Sequence, residues 1–228
     1  MNTIFDILVG MFIGGFLLVI VITATDSGTR AFVNFNSDAV VQSNLANTSN
    51  TIQYDLRKMG YEIPEAFEST ILQVAQPNHL KFLSQLNLDA QRNLSASGAC
   101  DQIPDTIEYT VSPLESINFD DTTLTIYKVQ RSIKIANESA QNSLVGTIGN
   151  NDVFRYLDQL GDPVPIIQAT RMVEVTLTAY NPRIILSPDM FSGGNSAEDV
   201  EFRKQELRRL LRASFWRQTR LVSKNLKR

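Results

Sequence analysis

The residues able to do chemistry are few and scattered. The single histidine, His79, sits in the phrase PNH, which reads as a turn leading into a strand, so a solvated loop histidine is expected. As the one histidine of the chain, it is all that a His-dependent triad would have to draw on. Cys100 lies in SGACDQ with no base or cationic setting around it in sequence, and an incidental thiol is the expected reading. One cysteine also excludes an intramolecular disulfide and a cysteine-cluster metal site. Asp120 and Asp121 precede a strand and read as a turn; calcium would need several further oxygen ligands at defined spacing. There is no glycine loop of the phosphate-cradling kind and no pair of residues that could act as general acid and base. The sequence therefore predicts no enzyme, no cofactor, no metal and no small-molecule substrate.

Charge is where the pattern becomes informative. The net charge of −3 gives no overall nucleic-acid signature, yet 10 of the 21 Lys and Arg residues fall between Arg203 and Arg228. Arg208, Arg209, Arg212, Arg217 and Arg220 interleave there with Phe215 and Trp216, a composition suited to nucleic acid or an anionic membrane surface. The competing reading is structural. Leu207, Leu210 and Leu211 give the segment an apolar edge, so it can pack as a short helix over about 197–211 and a strand from Phe215 to Val222 while exposing a basic face.

At the other end, residues 7–25 carry no charge (ILVGMFIGGFLLVIVITAT), close to the ~20 apolar residues that cross a ~30 Å hydrocarbon core. One membrane-spanning helix is predicted. The start, MNTIFD, lacks the basic stretch of a secretory signal; cleavage after Ala24 is the alternative. Gly14 and Gly15 each weaken a helix by roughly 1 kcal/mol relative to alanine, which fits helix–helix contact, local melting, or a tolerated pair in a lone anchor.

Beyond the span the helical pattern continues. No proline occurs before Pro64, and none of the residues between Gly28 and Gly60 is glycine. Phe35, Val41, Leu45, Ile52, Leu56 and Met59 form one apolar stripe, with Asp38, Gln42, Asn50 and Lys58 facing elsewhere. Gly60 is placed to end the helix in a left-handed cap, and Pro64 forbids its resumption. A helix from Thr3 to Met59 would be roughly 85 Å long.

From residue 65 to about 185 the period changes to alternation. Strands are predicted at Ile71–Val74, Leu80–Leu83, Thr106–Val111, Leu124–Val129 and Val173–Thr178, forming an antiparallel sheet with one buried face. Residues 186–200, rich in Ser, Gly and Asn, read as a loop. The fold class is thus α+β: a helix over 1–60, a β-rich head over 65–185, and a basic C-terminal segment over 201–228.

That order of elements resembles the minor pilins of type IV pili and the J-type pseudopilins of type II secretion systems. Asp55, Leu56, Arg57, Gly60 and Tyr61 match the "DLR-x-x-GY" phrase on which the first helix of that family often finishes. ILQVAQPNHLKFL, DTIEYTV and LTIYKVQRS look like its successive core strands, FRYLDQLGDPV like its "F-x-Y-x-x-x-G" hairpin, and TRMVEVTLTA and TRLVSKNL like its late strands. The departure is at the start, where the family carries a short basic leader ending in glycine and this sequence shows none. With Asn2 taken as the first helical residue, Asp6 stands where the family has the glutamate used in assembly; the other reading of Asp6 is a headgroup-level residue on a simple anchor. The resemblance implies a single-pass inner-membrane subunit with an extracytoplasmic head, whose partners are other pilin-like subunits and an assembly platform. Charge bias argues weakly the other way: Arg30 follows the span and no Lys or Arg precedes it, which favours a cytoplasmic body. The alternative function is a bitopic membrane protein whose basic tail binds nucleic acid or anionic lipid.

Overall fold

The computed structural model describes residues 2–86, 103–119, 122–135, 138–164, 166–180, 201, 205, 208 and 214–222. Cys100, the Asp120-Asp121 pair and the loop expected at 186–200 lie outside them, as does most of the helix expected at 197–211, of which Glu201, Gln205 and Arg208 are helical.

Helix α1 runs from Asn2 to Leu56. Residues up to Val40 form one compact unit by themselves, and Val41 onward belong to a second unit with the sheets. In this second unit the predicted stripe is buried: Leu45, Ile52, Leu56 and Met59 are each at most 6% exposed, and Val41 is packed against them. Phe35, expected on the same stripe, is exposed. The helix stops at Leu56 rather than Met59, because the last turn tightens. Lys58 and Met59 donate to Asp55 and Leu56 carbonyls three residues back, a 3-10 pattern common at helix ends. Gly60 has φ 71°, the left-handed conformation that a side chain resists, and its N–H bonds the Leu83 carbonyl. The sheet therefore fixes this turn.

After a 3-10 turn at Glu65–Thr70, eight strands follow among the described residues: β1 (Leu72–Gln76), β2 (His79–Ser84), β3 (Asp105–Phe119), β4 (Thr122–Lys134), β5 (Gln141–Ile148), β6 (Phe154–Leu157), β7 (Met172–Ala179) and β8 (Phe215–Val222). The first five form one antiparallel sheet in chain order, and β6-β7-β8 form a second. The expected single sheet is thus two. Alternation places Leu80, Phe82, Ile107, Tyr109, Val111 and Val129 of the first sheet, with Val173, Val175 and Leu177 of the second, in one core with α1. Tyr109 and Phe154 meet across it, their ring centroids 6.4 Å apart.

Strand β5 was not predicted by alternation, since QNSLVGTI is polar and contains a glycine. It is the outer strand of its sheet and most of its residues are exposed, so its ladder to β4 rather than apolar burial holds it. Strand β3 runs eight residues past its expected end at Val111, through Pro113. Proline is tolerated there because β2 pairs with β3 only as far as Thr110, so no ladder bond on that side is lost, and a bulge at Pro113/Glu115 absorbs the irregularity.

Candidate functional site

Three groups of residues stand out from the scaffold: the apolar stretch of α1, the carboxylate at its end, and a second carboxylate under the C-terminal strand.

In the first unit, Ile7–Thr29 is long and apolar enough to cross a membrane, and none of it is buried. It extends four residues beyond the expected 7–25. Thr23, Thr25 and Thr29 bond the carbonyls of Val19, Val21 and Thr25, one turn back, at 2.6–2.9 Å. Hydroxyls so occupied can face hydrocarbon without an unmet donor. A side chain added at Gly10, Gly14 or Gly15 would meet nothing within 4 Å. Leu8, Met11, Phe12, Gly15, Phe16 and Val19 line a shallow apolar groove on this helix. Asp6 lies in its first turns, within the helical backbone.

In the second unit, Asp55 is fully buried at the end of α1 and is met from the sheet by two residues. Arg131 on β4 donates from Nε to Oδ2 at 2.5 Å and from Nη2 to Oδ1 at 2.8 Å, a bidentate pair. The Tyr109 hydroxyl on β3 donates to Oδ2 at 2.6 Å. These strands are neighbours, with Tyr109 directly opposite Arg131 in the ladder, so one cross-strand pair presents three donor groups to one carboxylate. Burial, then the charge and hydrogen bond of Asp55, push the Tyr109 phenol well above its ordinary range. Burial pulls the Arg131 guanidinium down, but Asp55 outweighs it and holds the pKa above the usual value. Lys58 adds a longer contact, Nζ lying 3.8 Å from Asp55 Oδ1 and 4.1 Å from the Tyr54 ring centre.

The family-like phrase thus divides by environment. Asp55 and Leu56 are buried, Gly60 makes the turn, and Arg57 and Tyr61 are exposed. Arg131 and Tyr109 were not singled out from the sequence, although a signal existed: Arg131 shares strand parity with Tyr127 and Val129 on the inward face. An arginine at such a position requires a buried partner.

The second carboxylate is Glu174 on β7, 2% exposed. The ladder aligns Arg155 of β6, Glu174 and Arg220 of β8 in one row. Arg220 Nε donates to Glu174 Oε2 at 2.5 Å, and Arg155 Nη1 lies 3.8 Å from Oε1. Of the expected basic surface, Arg208 and Arg217 are exposed, while Arg209 and Arg212 lie outside the described residues. Arg220 is exposed as well, but it is committed to Glu174. Phe215 and Leu221 pack against the core, and Gln53 of α1 donates to Thr219 at 3.1 Å, so β8 is an integral strand of the head. Glu174 carried no advance signal, because a glutamate between Val173 and Val175 reads as an ordinary solvent-facing position.

His79 departs from expectation. It opens β2 instead of occupying the turn, which is made by Pro77 and Asn78, and its Nε2 lies 2.7 Å from Glu108 Oε1. Among the described residues no three His, Cys, Asp or Glu side chains are grouped so as to hold a metal ion. Comparison with protein-family models, with characterised proteins and with solved structures finds no match for this chain.

Proposed function

We propose that this protein is a membrane-anchored structural subunit of the minor-pilin or pseudopilin kind, acting in the assembly or at the tip of a type IV pilus-like or type II secretion-like filament. The observation that supports this reading most is a division of labour within one helix. The first part of α1 is apolar and unburied, and the residues from Val41 form the core of an antiparallel-sheet head. An apolar helix surface of that length has no stable place in water. In the proposed role it resides in the inner membrane and meets sister subunits and the assembly platform, while the extracytoplasmic head presents a surface to the next subunit. Gly14 and Gly15 allow close helix approach in lipid, and Asp6 is the residue that would seek a neighbour's helix N-terminus.

Topology tests this. Leu160 is 81% exposed, next to a glycine turn at Gly161, and accepts a reporter thiol without disturbing the core. The Cys100→Ser, Leu160→Cys full-length protein is treated in intact spheroplasts with a maleimide that does not cross membranes. Labelling from outside is expected. Labelling only after lysis would place the head in the cytoplasm and overturn the pilin-like assignment.

A further inference from the structure

The inner face of α1, together with the turn that follows it, carries two rows at seven-residue spacing. Leu45, Ile52 and Met59 form one, all large, apolar and buried. Val41, Thr48 and Asp55 form the other. Seven residues are close to two helical turns, so a slide of roughly 10 Å would place Leu where Ile was and Ile where Met was. Apolar burial distinguishes such positions poorly, because it is non-directional. The second row is not interchangeable. Only with α1 in its observed register does the Asp55 carboxylate meet both the Arg131 fork and the Tyr109 hydroxyl. Displaced by one turn or two, it becomes a buried charge without its donors, and Arg131 loses its acceptor.

We infer that the Asp55–Arg131–Tyr109 network is a register key: it selects the axial position of residues 41–56 of α1 on the sheets they pack against. Net stability is not its main product. A buried ion pair gains little over well-packed apolar groups of similar size, since desolvation offsets its attraction, whereas its directional bonds exclude alternatives. The key acts as a positioning device in whatever role the head performs.

The test reads register by disulfide formation in the full-length Cys100→Ser protein in detergent. Thr48 Cβ lies 3.3 Å from a Cβ built at Gly146, near the separation a disulfide needs, so Thr48→Cys with Gly146→Cys reports the native position. Asn44→Cys, Thr51→Cys and Val41→Cys, each with Gly146→Cys and with Thr48→Ala to clear space, report slides of one turn either way and of two turns. With the network intact, only the native pair closes. In the apolar replacement Asp55→Leu, Tyr109→Phe, Arg131→Met, cooperative unfolding is expected to persist while disulfide formation divides between the native and a shifted pair. Closure of the native pair alone in that variant would overturn the proposal. If the triple variant does not unfold cooperatively, Asp55→Asn decides: a shifted disulfide supports the key, and the native pair alone overturns it.

Discussion

At the residue scale, the buried carboxylates carry the sharpest expectations. Removing one partner from a buried pair leaves the other uncompensated, so Arg131→Ala should cost about 3–5 kcal/mol in urea unfolding of the full-length protein. The sign of the pH response follows from Tyr109. Its phenol holds its proton more tightly in the folded than in the unfolded chain, where it titrates near 10.0. A raised folded pKa contributes stability that is fully present below pH 10 and is lost as pH climbs above it. Tyr156, also raised by burial, acts in the same direction. Tyr109→Phe should therefore lower stability at neutral pH by about 1.5–3 kcal/mol through the lost bond to a charged acceptor, yet flatten the loss above pH 10. Melting curves between pH 7 and pH 11 check both parts, and an unchanged alkaline slope in the variant would refute the assignment.

At the scale of elements, the close approach of α1 to β5 and the pairing of β8 are the points of control. A Cβ at Gly146 would run into the Thr48 hydroxyl and lie 3.3 Å from Thr48 Cβ, so even alanine there makes the Thr48 side chain give way. Gly146→Ala should destabilise by about 1–3 kcal/mol. Thr48→Ala should recover part of that loss, making the two substitutions non-additive in a double-mutant cycle. Strand β8 carries Arg220 opposite Glu174, and Arg220→Glu would set two carboxylates against each other in one ladder row. Amide exchange across residues 215–222 should rise well above that of β3 and β4 in this variant; equal protection would show that packing of Phe215 and Leu221 suffices. The existence of β8 at Phe215–Val222 was legible in the sequence, but the reason for it was not. Glu174 and Arg220 are 46 residues apart, and only the ladder makes them neighbours.

At the scale of the whole molecule, the two compact units have different solvents in the proposed role: hydrocarbon for Ile7–Thr29, water and its own core for the head. Removal of residues 1–29 should move the protein from the membrane to the soluble fraction. Because the buried stripe begins only at Val41, the truncated head should unfold with a midpoint close to that of the full chain. A head that no longer folds would show that the first unit contributes to its stability.

Composition and periodicity determined much of this architecture by themselves. Nineteen uncharged residues in a row are read as a span because length and polarity alone set the cost of entering hydrocarbon. The apolar stripe at Leu45, Ile52, Leu56 and Met59, and the alternation in TIEYTV and MVEVTLT, marked the inward faces correctly because periods of 3.6 and 2 are properties of the local backbone. Tertiary structure decided what local period cannot encode. The sheet divided in two, a polar strand at Gln141–Ile148 formed because β4 offered it a ladder, and β3 passed through a proline because β2 had already ended. The same holds for Asp55. In sequence it is one polar residue beside an apolar stripe; in the fold it is the acceptor for Arg131 and Tyr109, 76 and 54 residues away, and only chain closure over such distances turns a costly buried charge into the fastening of helix to sheet.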